Sequence, residues 1–485
     1  MKFNRTMAAF LTGAVLFCMI SCSPFAPEIR KSPAGALPAV YSLYQPGTER
    51  PGMWWKEFNA PELNALIAEA FSESFTLREA WARLNRAKAL ARQAGASLYP
   101  EVTGTSEASG SRQRFNNDFG GRTTISQETY SLGLAGSYEL DLWGKIRSEQ
   151  EAAILDTTAT REDLNAAAMT LAAEVSERWI GIIAARMERE ILKEQLKINL
   201  IYLELVELRF RKGKASALEV YQQRQIVEKV KSEIPLVELE EQLLQHSLAL
   251  LMGKLPQAPL AIAQSSLPEI TAVPETGLPA DLLSARPDVR AAGFRLKAAD
   301  WQVSAARANR LPNIYLSAST RYLSGGIDGL FNNWLYALAA NLTAPLFDGN
   351  RRKSEVDRTM AVVDENLSAY RRTVYTAVKE VEDALVSEEK KRRHIVALEE
   401  EIRTARKALT EARERYIKGL NDYLPVLTQL LRVQELEVLL LNRRVELLFN
   451  RVALYRALGG TWTQTLAPEK AVKTEKTEGM NTPEG

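Results

Sequence analysis

The sequence predicts a mainly helical fold that is interrupted by two pairs of β-strands and built as a tandem repeat of helix, strand, strand and long helical hairpin. Three observations predict it. Short motifs recur at a fixed spacing, strand-like alternation follows a helix-ending proline in each half, and the proline-free stretches 147–234 and 347–424 carry apolar residues at helical spacing. Proline inside a helix removes a hydrogen bond, so its absence favours unusually long helices.

The duplication is visible in matched motifs. Arg209–Gly213 (RFRKG) recurs 206 residues later as Arg415–Gly419 (RYIKG), and Leu218 meets Leu424 at the same spacing. Towards the N-terminus the spacing becomes 212, so one duplication with a small difference in length explains both values. The sequence therefore predicts a first repeat over residues 62–260 and a second over 261–467.

Each repeat has the same order of elements. A helix rich in Ala and Arg, at about 62–98 and again at about 279–310, ends near a proline. Two runs follow in which large apolar residues alternate with small or polar ones, as in Trp334–Thr343, which is typical of a strand between lipid and water. A pair of long helices completes the repeat. The strands are predicted at about 101–141 and 313–346, and the helical hairpins at about 147–253 and 353–460.

The N-terminus resembles a bacterial lipoprotein processing site. Lys2 and Arg5 precede an apolar stretch that is too short to span a membrane, and Ser21-Cys22 stands at its end. We expect removal of a signal peptide, residues 1–21, and lipid attachment to Cys22, which begins an N-terminal anchor segment over residues 22–61. An ordinary signal peptide with an incidental cysteine is the alternative. Residues 468–485 lack apolar periodicity and are predicted to be a disordered tail.

Charge and composition argue against several classes of function. Lys plus Arg total 62 and Asp plus Glu total 60, so there is no basic surplus for nucleic acid. His246 and His394 have no neighbours at metal-ligand spacing, and there is no nucleophile elbow, P-loop or Rossmann glycine run. We therefore predict no enzyme activity, no catalytic residue, no metal site and no cofactor.

Four motifs, in order along the chain, resemble those of the outer membrane factor family, the TolC-like channels. They point in particular to its lipoprotein branch, which serves RND-type multidrug and heavy-metal efflux systems. Each motif is weak alone, but with the duplication they cover nearly the whole mature chain. The motifs are Tyr138–Arg147 (YELDLWGKIR), Arg286–Ala292 (RPDVRAA), Pro345–Arg352 (PLFDGNRR) and Ala453–Trp462 (ALYRALGGTW).

The resemblance implies a homotrimer that forms a 12-stranded β-barrel in the outer membrane, continued by a 12-helix α-barrel in the periplasm. Four strands alone would leave two unpaired edges in lipid, so closure by further copies is also a physical requirement. The implied function is an exit channel for small molecules, anchored by its lipid in the outer membrane. The implied partners are a periplasmic adaptor (membrane fusion) protein, an inner-membrane efflux pump and outer-membrane lipid.

The turns of the two hairpins are the candidate functional sites. By register with related channels, Leu424 is the expected apolar constriction, with an ordinary packing leucine as the alternative. Tyr416, Arg415 and Asp422 are expected to hold it closed. The sequence departs from the family at Thr428, where some relatives carry an acidic ring, so no carboxylate ring is expected at that position. The expected adaptor contacts are Arg209, Phe210, Gly213, Leu218 and Gly419, whose glycines also serve helix reversal.

Two other functions fit parts of the sequence. A periplasmic adaptor also has a long hairpin and often a lipid anchor, but it would have one hairpin beside lipoyl-like strands. A structural coiled-coil lipoprotein would show sustained heptads without strand pairs. Two complete repeats favour the channel.

Overall fold

The computed structural model describes residues 24–27, 34–43, 52–116, 122–270, 272–274, 276–460 and 462–466. The predicted signal peptide, Cys22 and the predicted tail lie outside these residues. The helices are α1 (Pro61–Glu73), α2 (Phe75–Ala96), α3 (Lys145–Arg211), α4 (Ala217–Leu251), α5 (Leu282–Ala285), α6 (Pro287–Ala308), α7 (Arg351–Ile417) and α8 (Tyr423–Leu458). The strands are β1 (Glu101–Asn116), β2 (Arg122–Leu140), β3 (Asn313–Ser324) and β4 (Trp334–Thr343).

The helical stretch before each strand pair is broken, where the sequence predicts one continuous helix. Ser74 separates α1 from α2 because its backbone is extended, with ψ at 130°. Arg286 is extended in the same way between α5 and α6, since a residue that precedes a proline avoids helical geometry. No helix among the described residues is long and apolar enough to cross a membrane.

The chain packs into two compact units. The sheet unit contains Leu84–Arg161 and Ala291–Arg371, and the hairpin unit contains Ala36–Arg83, Glu162–Arg290 and the chain from Arg372 onwards. The four strands of the sheet unit form one antiparallel sheet in the order β1-β2-β3-β4. Among the described residues, the outer edges of β1 and β4 have no strand partner.

The sheet has one apolar face and one polar face. Even-numbered residues of all four strands share a face, because Val102 lies opposite Gly136, Gly136 opposite Ala318, and Ala318 opposite Leu338. The opposite face is polar, with Glu107 Oε2 3.6 Å from Arg321 Nη2. The large apolar side chains of the even-numbered face are Val102, Tyr130, Leu132, Leu134, Tyr138, Leu140, Ile314, Leu316, Tyr322, Trp334, Tyr336, Leu338 and Leu342.

The junction between β2 and α3 is fixed by side chains of the YELDLWGKIR motif. Both carboxylate oxygens of Asp141 accept backbone N–H groups at the start of α3, from Ile146 (3.0 Å) and Arg147 (2.9 Å). Trp143 Nε1 donates to the carbonyl oxygen of Pro312 (2.7 Å), just before β3. This motif therefore caps the long helix and ties it to the second strand pair.

The core of the hairpin unit contains an aromatic cluster and a buried ion pair. Trp54 stacks on Tyr455 at 5.3 Å between ring centroids. Arg451 Nη2 donates to Glu388 Oε1 at 2.7 Å, and both side chains are almost fully buried. Arg451 Nη1 also donates to the carbonyl oxygen of Ala272, in the segment between α4 and α5. A buried charge is tolerated only when it is paired in this way.

Candidate gate at the hairpin turns

Both hairpins reverse at a glycine that needs a left-handed backbone. Gly213 has φ of +68° and Gly419 has φ of +75°, a region that residues with a side chain rarely adopt. The amide of the residue after each glycine donates back to the helix end, to Arg209 (2.8 Å) in the first turn and to Arg415 (2.9 Å) in the second. The glycine of the repeated R-x-x-x-G motif therefore forms the turn, and the backbone carbonyl of the arginine closes it.

The return helices of the two hairpins start differently. In α4, Ser216 Oγ accepts the amide of Glu219 at 3.3 Å, and Glu219 Oε1 accepts the amide of Ser216 at 3.3 Å. This is a complete capping box. In α8, Asp422 stands at the cap position, and its side chain makes no cap hydrogen bond. The first return helix is thus fixed by its own side chains and the second is not.

Tyr416, at the end of α7, joins the two turns. Its hydroxyl donates to Glu219 Oε2 (2.9 Å), and the Arg209 guanidinium lies 4.3 Å from the centroid of its ring. Arg209 Nη1 also donates to the carbonyl oxygen of Ile417 (3.4 Å). The Tyr416 side chain is only 2% exposed. Two residues of the first hairpin therefore hold one aromatic residue of the second.

The phenol groups at the turns stay protonated. Burial, followed by the hydrogen bond to Glu219, raises the pKa of Tyr416 to about 12. Burial also raises the pKa of Tyr423, with a smaller contribution from Tyr202. Both causes favour the neutral phenol, which is the form that donates a hydrogen bond. The contact between Tyr416 and Glu219 is therefore complete at physiological pH.

A chain of buried amides continues from Tyr423 along the hairpins. Tyr423 Oη donates to Gln223 Oε1 (2.7 Å), and Gln223 Nε2 donates to the carbonyl oxygen of Asn199 (2.8 Å). Asn199 Nδ2 donates to Gln434 Oε1 (3.2 Å), and Gln195 Nε2 to the carbonyl oxygen of Gln434 (3.0 Å). These bonds join α3, α4 and α8. A buried polar group that loses its partner costs about 1–3 kcal/mol, so these hydrogen bonds oppose separation of α8 from α3 and α4.

The two turns also differ in charge. Arg211, Lys212 and Lys214 of the first turn are exposed, and within the described part of the chain none of them forms an ion pair. In the second turn, Arg415 Nε lies 2.7 Å from Glu411 Oε1 and Lys418 Nζ lies 3.7 Å from Glu414 Oε2. The first turn therefore presents uncompensated positive charge, whereas the second is locally neutralised.

The family model for outer membrane efflux proteins matches residues 66–254 and again residues 278–460. These segments contain both strand pairs and both hairpins. The chain belongs to this family. It is an outer-membrane exit channel of an efflux system, and its family is one of channels rather than enzymes. Such channels work with an adaptor and an inner-membrane pump. Membership of this family excludes the two alternative functions, a periplasmic adaptor and a structural coiled-coil lipoprotein.

Several members of the family are similar along most of their length. The pyoverdine export outer membrane protein OpmQ of Pseudomonas aeruginosa is 34% identical over 415 residues, which cover 84% of this chain and 87% of that protein. The outer membrane protein OprJ of the same species is 31% identical over 418 residues, or 84% of this chain and 86% of OprJ. The cation efflux system protein CusC of Escherichia coli is 28% identical over 465 residues, or 94% and 99%.

Solved channel structures have the same fold. A crystal structure of CusC superposes with a TM-score of 0.80 at 27% identity and covers 91% of this chain and 100% of that chain. The outer-membrane channel OprN gives a TM-score of 0.79 at 27% identity, over 91% of this chain and 98% of that chain. The fold of this efflux channel is thus the mainly helical fold of the TolC-like channels.

The expected constriction residue does not pack inside its own chain. Leu424 is 60% exposed in the first turn of α8, and its repeat partner Leu218 is 64% exposed in α4. Phe210, an expected adaptor contact, is 47% exposed beside the first turn. All three apolar side chains are therefore available to another molecule or another copy.

The other expected gate residues do not take part in the hydrogen bonds of Tyr416. Arg415 bonds to Glu411 on its own helix, and Asp422 is exposed. Thr428 Oγ1 donates to the carbonyl oxygen of Leu424 (2.9 Å), within α8. Among the described residues, no group of three or more His, Cys, Asp or Glu side chains is placed to hold a metal ion.

Sequence reasoning missed two residues that the structure brings to the turns, Glu219 and Gln223. Glu219 is visible in the sequence as the last residue of an S-x-x-E capping box that begins at Ser216. Gln223 carries a weaker signal, because it meets Gln429 at the repeat spacing of 206 residues. Neither signal shows that the second carboxylate oxygen of Glu219 would reach Tyr416.

Proposed function

We propose that this channel is a homotrimer in which three four-stranded sheets close into one 12-stranded β-barrel, with the long helices of the three copies forming a 12-helix α-barrel. The observation that carries the proposal is the sheet, whose β1 and β4 edges lack a partner among the described residues. In lipid, each unsatisfied backbone group costs several kcal/mol, so these edges need the edges of other copies.

The even-numbered face of the sheet suits a bilayer. It carries no charged residue over 102–110 of β1, over 130–140 of β2 or anywhere in β3 and β4. A tilted membrane strand needs about 9–11 residues, and β4 has 10. Tyr322 and Trp334 lie near one end of this face and Tyr138 near the other, which matches the aromatic girdles of outer-membrane proteins.

In this proposal the channel is closed at the hairpin turns. Leu424 of the three copies forms the narrowest ring, since a ring of apolar side chains blocks ions by excluding water. Tyr416 is the latch, because its contacts with Glu219 and Arg209 hold the second hairpin against the first. Arg415, Asp422 and Thr428 flank the ring. The adaptor contacts are Arg209, Phe210, Gly213, Leu218 and Gly419.

An adaptor that bound the first turn would weaken the latch. Arg209 is both a proposed adaptor contact and the residue that lies over the Tyr416 ring. A partner that took the Arg209 guanidinium would therefore remove one of the contacts that hold Tyr416. The channel would then open because the adaptor binds the open state more tightly than the closed state.

The lipid anchor is a further part of the proposal. Removal of residues 1–21 would leave Cys22 as the acylated N-terminus, with residues 22–61 as the anchor segment. The chain shortly after Cys22 contacts α6, where Ser304 Oγ donates to the carbonyl oxygen of Phe25 (2.5 Å). Mass spectrometry of the mature N-terminus should show a diacylglyceryl group on Cys22; an unmodified N-terminus at another residue contradicts the anchor.

The cargo is assigned only by class. One relative is named for pyoverdine export and another for cation efflux. We assign small molecules that a pump and adaptor deliver to the turns. The two repeats, 62–260 and 261–467, are proposed to have arisen by duplication, which the two separate matches to the family model support.

The trimer can be tested directly. Native mass spectrometry of the protein in detergent should give three times the mass of one mature chain, and planar bilayers should show a low-conductance closed state. A stable monomer with its full strand content contradicts the closure of the sheets. A trimer that never conducts, even with all turn contacts removed, contradicts the channel.

A further inference from the structure

Two apolar side chains beside the sheet are far more exposed than any other. Leu346 is 95% exposed and Phe347 is 93% exposed, whereas no other large apolar side chain among the described residues exceeds 75%. Both belong to the PLFDGNRR motif, between the end of β4 and the start of α7. The helix that follows them is capped at its start, because Asp348 Oδ2 accepts the amide of Arg352 (3.3 Å).

A second exposed apolar pair lies at the same end of the sheet, on the opposite edge. Tyr99 is 74% exposed and Val102 is 70% exposed, where β1 begins. β1 begins and β4 ends at the end of the sheet that adjoins the helices, which we call the helix-side end. Because β2 and β3 lie between the edges, the two pairs are about 14 Å apart or more and cannot meet within one chain.

We infer that Leu346 and Phe347 pack on Tyr99 and Val102 of a second copy, as an apolar seam at the helix-side end of each junction between sheets. The inference rests on the proposed trimer. In an antiparallel junction, the end of β4 runs beside the beginning of the neighbouring β1. Each exposed pair then covers the other, at all three junctions.

The register of the sheet supports this placement. Val102 shares a row with Leu338 of its own chain, through Gly136 and Ala318. Strands that close into a barrel must slide along one another, so the row that ends on β4 of one copy does not meet the same row on β1 of the next copy. For 12 strands at a tilt of about 35–45°, with about 4.8 Å between strands and about 3.3 Å per residue, the two rows differ by roughly four to six residues per copy. The shift must be even, since an odd one would turn apolar side chains into the lumen.

The bounds of the strands select the direction of the shift. A shift of four places Thr343 opposite Glu101 of the neighbour, and a shift of six places it opposite Thr103; both pair β4 with strand residues throughout. A shift in the other direction would place β4 opposite the end of α2. The selected direction brings Phe347 opposite residue 97 or 99, beside Tyr99.

The test is disulfide cross-linking in the full-length protein, in its own membrane. The variant with both Tyr99→Cys and Phe347→Cys should oxidise to covalent trimers on denaturing gels, as should Ser97→Cys with Phe347→Cys if the shift is four. The matched control joins Phe347→Cys to Phe115→Cys, at the far end of β1, and should remain monomeric. Each variant with a single introduced cysteine shows whether that cysteine forms a disulfide with Cys22 instead.

The outcomes separate the seam from the trimer. If native mass spectrometry shows a trimer but neither pair at the helix-side end cross-links, the seam is wrong and the proposed function stands. If the Phe115 control cross-links equally, the seam is also wrong, because the disulfides then form by random collision between copies. If the protein is monomeric, the proposed trimer fails first.

A second measurement does not need cysteines. Phe347→Asp should lower the temperature at which the trimer dissociates on gels, whereas Phe347→Leu should retain it. Phe331→Asp is the control, because Phe331 is 67% exposed but lies at the other end of the sheet. Equal loss from Phe331→Asp and Phe347→Asp contradicts the seam.

Discussion

The two hairpins are built on the same motif but are held differently. The first has a capping box at Ser216 and exposed cations with no ion pair in the described residues, whereas the second has no side-chain cap at Asp422. The second hairpin is held instead by contacts that reach the first, through Tyr416 and Tyr423. The first hairpin therefore sets its own conformation, and the second depends on it. The second is therefore the one expected to move.

The contacts between the hairpins have a strength that suits reversible opening. A hydrogen bond to a charged group contributes about 1.5–3 kcal/mol and a neutral one about 0.5–1.5 kcal/mol. The Tyr416–Glu219 and Tyr423–Gln223 bonds together then supply roughly 2–4 kcal/mol per copy. An adaptor can offset that amount with a few contacts of its own.

The largest effect is expected when both tyrosine hydroxyls are removed. Tyr416→Phe with Tyr423→Phe keeps both rings and deletes only the bonds from the second hairpin to Glu219 and Gln223. Single-channel conductance of the isolated trimer in planar bilayers should rise several-fold or more, since the closed state loses roughly 2–4 kcal/mol per copy. Tyr370→Phe, far from the turns, is the control. Parent-like conductance of the double variant would show that the latch lies elsewhere.

The next effect in size concerns the apolar ring. Leu424→Ala should raise the conductance of the isolated trimer, because a smaller side chain widens the constriction and admits water. The sequence supplies a matched control 206 residues earlier, since Leu218 has nearly the same exposure as Leu424 and can be changed to Ala in the same way. The assignment of the ring to Leu424 fails if both variants conduct equally, whether at the parent level or above it.

The sequence carries local signals for the turns and for the helices and strands, but it carries none for contacts between distant residues. Gly213 and Gly419 are readable because a left-handed turn after a long helix needs glycine. The break at Ser74 was missed, since neither glycine nor proline marks it. The bond from Tyr416 to Glu219 joins residues 197 positions apart, so no local pattern could indicate it.

The repeated arginines show the same limit and give the third prediction. Arg209 and Arg415 occupy one position of the motif, yet Arg209 contacts Tyr416 and Ile417 while Arg415 bonds to Glu411 on its own helix. Arg209→Ala should therefore raise the conductance of the isolated trimer more than Arg415→Ala. An exposed ion pair within one helix contributes little, because water screens both charges. The reverse order of the two variants would assign the latch to Arg415.

The pH dependence of the latch is the fourth prediction and concerns a smaller effect. The pKa of Tyr416 is raised from the ordinary 10 to about 12, so its contribution to the closed state is complete below pH 10 and is lost as pH rises through about 12. The ratio of Tyr416→Phe conductance to parent conductance should be constant from pH 6 to 9 and approach one near pH 12. A ratio that changes between pH 6 and 9 would mean that another group controls the latch.

Thr428→Ala should have the smallest effect. Thr428 Oγ1 bonds to the carbonyl oxygen of Leu424 one turn earlier in the same helix, and that carbonyl keeps its place in the helix when the hydroxyl is lost. No charge is removed and no contact between hairpins is broken, so conductance and ion selectivity should stay close to those of the parent. Thr428→Asp is the informative partner, because three carboxylates near the Leu424 ring should shift the reversal potential towards cation selectivity. If Thr428→Asp leaves the reversal potential unchanged while Leu424→Ala raises conductance, Thr428 does not line the channel.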